Sequence, residues 1–193
     1  MYNSLFEVNS DVEKCTRCQL CETRRNTVFG EGNSHAKIML VGEGPGRDED
    51  EMGRPFVGKA GKLLDKMLTS IRFNRDDVYI ANILKCRPPG NRDPQPQEVE
   101  ACIGYLRAQT ALIRPHIIVC LGRIASQHIL KQDIRITKER GIWREVKGFF
   151  IMPTYHPAAL LRNQGWKRES YADLLSIRKK YDEFAGTSAN SEE

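Results

Sequence analysis

The sequence predicts an α/β fold in which a central four-stranded, mainly parallel sheet lies between two layers of helices. Four continuous apolar runs, each bounded by turn residues, are typical of strands buried on both faces: 36–41, 78–84, 116–121 and 149–152. Segments with apolar residues three and four positions apart separate these runs and predict helices. Because strands and helices alternate, we expect right-handed crossovers and a three-layer α/β/α domain.

Each predicted helix has its own apolar stripe. A chain of 193 residues is long enough for one core, so we expect a single domain over 1–185 and a polar, flexible tail over 186–193. The stripes lie at Leu63, Leu64, Met67, Leu68 and Ile71, at Val99, Ile103, Leu106 and Ile113, at Ile124, His128 and Ile129, and at Leu174, Ile177, Tyr181 and Phe184.

Composition excludes several classes of protein. Six cysteines are too few for a disulfide scaffold, and the N-terminus lacks the pattern of a signal peptide, so we expect a cytoplasmic protein. No apolar run approaches the roughly 20 residues that a membrane helix needs, and we expect no membrane partner. The net charge of +5 permits binding to nucleic acid but does not identify a partner.

Ligands of such sheets bind beyond the carboxyl ends of the strands. Four segments follow the predicted strands, at 42–46, 82–96, 122–123 and 153–163, and we expect them to converge at one edge. The first, Gly42-Glu43-Gly44-Pro45-Gly46, allows a ligand to approach the backbone closely. It matches neither nucleotide-binding glycine motif, and Pro45 lacks a backbone donor, so a phosphate-binding loop is disfavoured.

The cysteines form a pattern typical of a metal site. Cys15 and Cys18 are two residues apart, and Cys86 and Cys102 form a second, distant pair. Four thiolates suit either structural zinc or an iron–sulfur cluster, and the spacing alone does not choose between them. Cys21 is either a spare thiol or a replacement for one of the four. Cys120 lies in an apolar run, where it is expected to be a small core residue.

Four motifs resemble, in the same order, the signatures of the family 4 uracil-DNA glycosylases. They are GEGPGRDED at 42–50, GRPFVGKAG at 53–61, NILKCRPPGNR at 82–92 and HPAALLR at 156–162. Cys15, Cys18, Cys86 and Cys102 match the spacing of that family's [4Fe-4S] ligands. The resemblance extends from about residue 15 to about residue 180. It implies a monomer that hydrolyses uracil from single- or double-stranded DNA, with a cluster that braces the N-terminal segment.

The resemblance implies a substrate pocket lined by Gly42, Glu43 and Gly44. A glycosylase flips its target base into a pocket and reads it there. Phe56 would stack on uracil, Asn82 would pair with its N3–H and O4, and His156 would donate to O2, where charge develops. Without the resemblance, Phe56 is better explained as a core aromatic residue at a helix entrance, and Asn82 is equally explained as a turn cap.

The resemblance does not assign the residue that activates water. Better-known uracil-DNA glycosylases have a carboxylate at the position of Gly44, so this role cannot be transferred. Glu43 and Asn91 rank first, Asn91 as a group that positions water, with Glu49 and Asp50 also as candidates; Glu49 and Asp50 are equally explained as charges at a helix N-terminus.

The remaining predicted roles concern DNA. Leu161 would enter the duplex as a wedge, and the basic residues would contact phosphates. Two other classes stay open: a protein that captures uracil-DNA without turnover, and a zinc-braced DNA-binding module without catalysis. The predicted phosphate contacts are Arg87, Arg92, Arg162, Lys167 and Arg168.

Overall fold

The computed structural model describes residues 2–189, with side chains through 184. The elements within this range are α1 (Leu5–Glu13), α2 (Leu20–Thr23), β1 (Glu31–Gly32), β2 (Ile38–Gly42), α3 (Arg47–Met52), α4 (Lys59–Ser70), β3 (Tyr79–Asn82), α5 (Pro96–Ile113), β4 (Ile117–Leu121), α6 (Arg123–Leu130), α7 (Ile136–Glu139), β5 (Arg144–Val146), β6 (Phe149–Thr154), α8 (Pro157–Arg162) and α9 (Lys167–Ala189). Short 3₁₀ turns occur at Arg75–Asp77, Pro89–Asn91 and Gln164–Trp166.

The strands form one sheet in the order β1-β3-β2-β4-β6-β5. The four inner strands are parallel and correspond to the four predicted strands, so the α/β class is confirmed. The predicted number of strands was too low, because β1 and β5 pair antiparallel at the two edges. These edge strands are short, polar and partly exposed, and therefore carry no apolar run that the sequence analysis could detect.

Helices cover both faces of the sheet and bury two separate apolar layers. Val41, Ala81 and Cys120 face the layer that contains Leu106 of α5. Leu40, Ile80 and Val119 face the layer that contains Leu64 of α4 and Leu174 of α9. Cys120 is 0% exposed, which confirms its prediction as a core residue.

The two ends of the chain extend this sandwich. Helix α1 packs on α5 through Val8, Val12 and Tyr105 and thereby places the first cysteines beside the sheet. Helix α9 continues to Ala189, four residues into the segment predicted as a tail, and 190–193 lie outside the described residues. Within the described range, no helix is both long and apolar enough to cross a membrane.

Candidate active site

A pocket of about 660 Å³ lies at the carboxyl ends of the parallel strands. All four segments that follow the predicted strands contribute to its lining, through Glu43, Asn82, Gly122 and His156 among others. The expected convergence at one edge is therefore confirmed.

The floor of the pocket is formed by an amide and an aromatic ring that pack on Gly42. Asn82 is 2% exposed, and its Oδ1 has no hydrogen-bond partner among the described residues. A Cβ on Gly42 would lie 2.4 Å from this Oδ1 and 2.7 Å from Cζ of Phe56. Glycine at this position therefore allows the amide and the ring to share the floor, and an unpaired buried amide is suited to bind a polar ligand.

The Phe56 loop is held in place by hydrogen bonds to Arg75 and Glu49. Phe56 has a φ of 51°, which is unusual for a residue with a side chain. Arg75 donates hydrogen bonds to the carbonyls of Pro55 (2.6 Å) and Phe56 (3.0 Å). The Glu49 carboxylate accepts from the backbone N–H groups of Val57 and Gly58, both at 2.9 Å. These contacts hold the backbone of Phe56 in this strained conformation and thereby fix the position of its ring.

Glu49 lies in the first turn of α3, in agreement with the alternative explanation as a charge at a helix N-terminus, and it also supports the Phe56 loop. Its second carboxylate oxygen accepts from the Gly46 backbone N–H at 3.1 Å. Because both oxygens already bind backbone donors, the geometry favours Glu49 as a support of the loop over the predicted role in catalysis, which stays a prediction. Arg75 was not identified from the sequence, because it lies outside the four motifs.

His156 is held as a neutral imidazole with a defined tautomer. Its Nδ1 accepts a hydrogen bond from the backbone N–H of Ala158 at 3.1 Å, so Nε2 carries the proton. Burial and the positive charge of Arg162 lower the pKa of His156 to about 4. The ring lies 5.6 Å from the Phe56 ring, measured between centroids. His156 can therefore donate one hydrogen bond into the pocket at neutral pH.

Helix α9 anchors the strand end that carries His156. Thr154 donates to the buried Asp173 carboxylate at 2.6 Å, and Tyr155 donates to Glu169 at 2.9 Å. The Tyr155 ring also stacks on Trp166 with a centroid distance of 4.7 Å. The sequence analysis missed these anchors, because they join residues far apart in the chain.

Glu43 lines the pocket beside a pair of opposite charges. Arg123 donates to the Asp93 carboxylate at 2.7 Å. Burial and the nearby Asp93 charge raise the pKa of Glu43 to about 7, although Arg123 opposes the shift. Glu43 can therefore exchange a proton near neutral pH, as a general base must. Asp93 and Arg123 were not predicted as site residues.

Asn91 and two of the predicted phosphate contacts lie along the loop after β3. Asn91, which has a φ of 55°, lines the pocket, and its Oδ1 accepts from Nε of Arg87 at 2.7 Å. Arg92 also lines the pocket but forms a bidentate ion pair with Glu98, at 2.6 and 2.9 Å. This pairing reduces the charge that Arg92 can offer to DNA.

The residues after β6 divide between the pocket and its surroundings. Arg162 lines the pocket, whereas Leu161 is 43% exposed and lies outside the lining. Arg87, Lys167 and Arg168 also lie outside the lining. Of the predicted DNA contacts, the structure therefore brings Arg92 and Arg162 to the pocket and leaves Arg87, Leu161, Lys167 and Arg168 outside its lining.

A second cavity brings together five thiols, which we call the cysteine site: Cys15, Cys18, Cys21, Cys86 and Cys102. Arg24 donates to Sγ of Cys86, and the Lys85 backbone N–H donates to Sγ of Cys102, both at 3.3 Å. Within residues 2–184, no group of three or more His, Cys, Asp or Glu side chains is arranged around a single metal ion.

Burial shifts the ionisation of groups at the cysteine site. It raises the pKa of Cys102 to about 11, so this group needs a metal or a nearby cation to become a thiolate. It lowers the pKa of Lys85 to about 8, and the negative charges of Cys102 and Cys86 oppose this shift.

The sheet and its pocket define an α/β protein that presents an aromatic ring, an unpaired amide and an imidazole donor at its strand ends. The sequence model of the Uracil DNA glycosylase superfamily matches residues 29–175, and the chain belongs to this family.

Curated relatives cover most of the chain. It is 47% identical over 182 residues to a type-4 uracil-DNA glycosylase of Archaeoglobus fulgidus, covering 90% of this chain and 92% of the relative. It is 48% identical over 165 residues to the type-4 enzyme of Thermotoga maritima, covering 83% and 85%. Identity to a type-5 uracil-DNA glycosylase of Pyrobaculum aerophilum is 32% over 184 residues, covering 78% and 81%.

Proposed function

We propose that this protein removes uracil from DNA by hydrolysing the N-glycosidic bond, which releases uracil and leaves an abasic site. The carrying observation is the convergence of three groups at one pocket: the fixed Phe56 ring, the unpaired Asn82 amide and the neutral His156 imidazole. The names of the relatives support the same reaction.

Recognition of the flipped base rests on Phe56 and Asn82. The base stacks on the ring, an interaction that contributes about 1–3 kcal/mol. Asn82 accepts from uracil N3–H through Oδ1 and donates to O4 through its amide nitrogen. Cytosine presents an acceptor at N3 and a donor at N4, so it would leave the buried amide unpaired.

Bond cleavage depends on a donor at the oxygen where negative charge develops. The Nε2–H of His156 donates to uracil O2 as the base departs. This hydrogen bond lowers the barrier by about 3–4 kcal/mol. Its neutral state makes this donor available throughout the physiological pH range.

Water attacks the sugar carbon after or during departure of the base. Glu43 is the first candidate for the general base because its pKa lies near 7. Asn91 lines the same pocket and would position the water. Glu49 ranks below both of them, because backbone N–H groups already occupy its carboxylate.

DNA would lie across the mouth of the pocket. Arg162 and Arg87 would contact phosphates, and the exposed Leu161 would enter the space that the base vacates. Arg92 would contribute less, since Glu98 neutralises it. Affinity for DNA is therefore expected to fall steeply as salt rises.

The cysteine site would hold a [4Fe-4S] cluster through Cys15, Cys18, Cys86 and Cys102, with Cys21 as an alternative ligand. Five free thiols on one cavity and two N–H donors to sulfur fit such a group. The bound cluster would supply iron–sulfur bonds that join the N-terminal segment to the loop after β3 and to α5. We further propose a monomer in the cytoplasm, where thiols stay reduced.

Alkali treatment of a uracil-containing oligonucleotide tests the proposal. The purified protein is incubated with this oligonucleotide and with the same sequence carrying thymine. Cleavage after alkali at the uracil alone is the expected result. An adduct that survives denaturation would instead indicate capture, and an intact strand would contradict the proposed reaction. Elemental analysis of the same preparation separates iron from zinc.

A further inference from the structure

Lys85 is a fully buried lysine whose hydrogen-bond partners are neutral. The residue is 1% exposed, and its Nζ donates to Oε1 of Gln109 at 2.7 Å and to the carbonyl of Asn82 at 3.0 Å. It lies 5.9 Å from the centroid of the Phe29 ring. None of the ion pairs within residues 2–184 gives Lys85 a carboxylate partner. A buried ammonium is costly unless negative charge compensates it.

The cysteine site is the source of negative charge next to Lys85. The backbone N–H of Lys85 donates to Sγ of Cys102 at 3.3 Å, and Cys86 follows it directly in the chain. Arg24 approaches the same site from the other side and donates to Sγ of Cys86 at 3.3 Å. Thiolates that hold an iron–sulfur cluster give the centre a net negative charge, which these two cations would balance.

Lys85 also contacts the backbone of a residue that lines the base pocket. Its Nζ binds the carbonyl of Asn82, the residue whose side-chain amide lies unpaired on the pocket floor. Gln109 keeps the ammonium in place, because its amide nitrogen donates to the Tyr79 hydroxyl and to the Phe29 carbonyl, each at 3.0 Å. The side chain of Lys85 therefore contacts the strand end that carries Asn82, while the backbone of Lys85 contacts the cysteine site.

We propose that Lys85 is a positioning residue that balances the negative charge of the cluster at the cysteine site and, through its bond to the Asn82 carbonyl, ties that centre to uracil recognition. The inference rests on the proposed cluster and on the proposed reaction. Its first consequence is electrostatic: adding an electron to the cluster is easier beside a cation, so removing Lys85 makes the reduction potential more negative. Its second consequence is a loss of discrimination between uracil and cytosine, which Asn82 tells apart at N3 and at position 4 of the ring.

The test compares three variants of the iron-loaded protein. Lys85→Met keeps the length of the side chain and removes its charge. Arg24→Met removes the other cation without touching Asn82, and Lys66→Met removes an exposed charge on α4. The reduction potential is measured by titration with a chemical reductant. Binding is measured with DNA that carries a non-cleavable uracil nucleotide and with the matched cytosine DNA.

We expect Lys85→Met to make the potential more negative and to lower the uracil-to-cytosine affinity ratio about tenfold, as for one buried charge-assisted hydrogen bond. Arg24→Met should move the potential in the same direction, with a smaller effect on the ratio. Lys66→Met should match wild type in both. If Lys85→Met fails to assemble, Lys85→Gln, which removes the charge but keeps an N–H donor, takes its place, and an unchanged potential would overturn the electrostatic part.

Failure of the inference is distinguishable from failure of the proposed function. If the wild-type protein contains no iron, the proposed cluster is wrong, and the inference about Lys85 is wrong with it. Wild-type protein that contains iron and excises uracil, with an unchanged potential and an unchanged affinity ratio in Lys85→Met, would overturn the inference alone.

Discussion

Replacing Glu43 with glutamine tests the environment of the pocket through stability. The pKa of this carboxyl is raised from 4.5 to about 7, mainly by burial. The folded state therefore prefers the protonated form, and stability is lost as pH rises from about 4.5 to about 7. Because Glu43 is only half-buried, solvent reduces this loss to about 1–2 kcal/mol. Glu43→Gln has no such carboxylate, so its free energy of unfolding should exceed that of wild type by this amount at pH 8 and differ little at pH 5.

The same substitution should have the opposite effect on catalysis. A general base with a pKa near 7 is about one-tenth ionised at pH 6 and about nine-tenths ionised at pH 8, so the wild-type rate should rise about ninefold over that range. Glu43→Gln should lose this dependence on pH and react about 100-fold more slowly at pH 8, near the lower end of the range for general bases. His156 does not titrate in this window, since its pKa is about 4.

Urea denaturation and single-turnover cleavage of a uracil oligonucleotide supply the two measurements. Glu100→Gln is the matched control, because Glu100 is an exposed carboxylate on α5 outside the pocket. The reasoning is refuted if the wild-type rate is independent of pH between 6 and 8, or if Glu43→Gln keeps the full rate. An unchanged stability at pH 8 would contradict the raised pKa itself.

Three further substitutions test the geometry of the site. His156→Ala should lower the single-turnover rate about 100- to 1000-fold through loss of a donor to the leaving group, whereas His128→Ala should not; equal rates for the two variants would exclude this role. Gly42→Ala places a Cβ 2.7 Å from the Phe56 ring and should weaken binding of non-cleavable uracil DNA about tenfold or more in a titration, with unchanged affinity counting against the packed floor. Arg75→Met removes the hydrogen bond to the Phe56 carbonyl. It should lower the free energy of unfolding in urea by about 1–3 kcal/mol and raise KM. A variant as stable and active as wild type would show that the Phe56 loop does not depend on Arg75.

The sequence predicted the parts of the fold that depend on continuous local patterns. The inner strands are buried on both faces, so each one is an unbroken apolar run, and the loops after them could be assigned to one edge of the sheet. The strands β1 and β5 were missed because edge strands are short and polar, and only pairing with a neighbour makes them strands.

Within the site, the sequence by itself determined which chemical groups are available, and the tertiary structure decided how they are used. The motifs supplied Phe56, Asn82 and His156, because each of these residues lies in a segment that the sequence places at the strand ends or in the glycine-containing motifs. The use of Glu49 for the Phe56 loop depends on contacts between two separate motifs, and the raised pKa of Glu43 depends on burial and on the Asp93 charge; neither leaves a local pattern. Lys85 was missed for the same reason, because its sequence position does not show that it is buried.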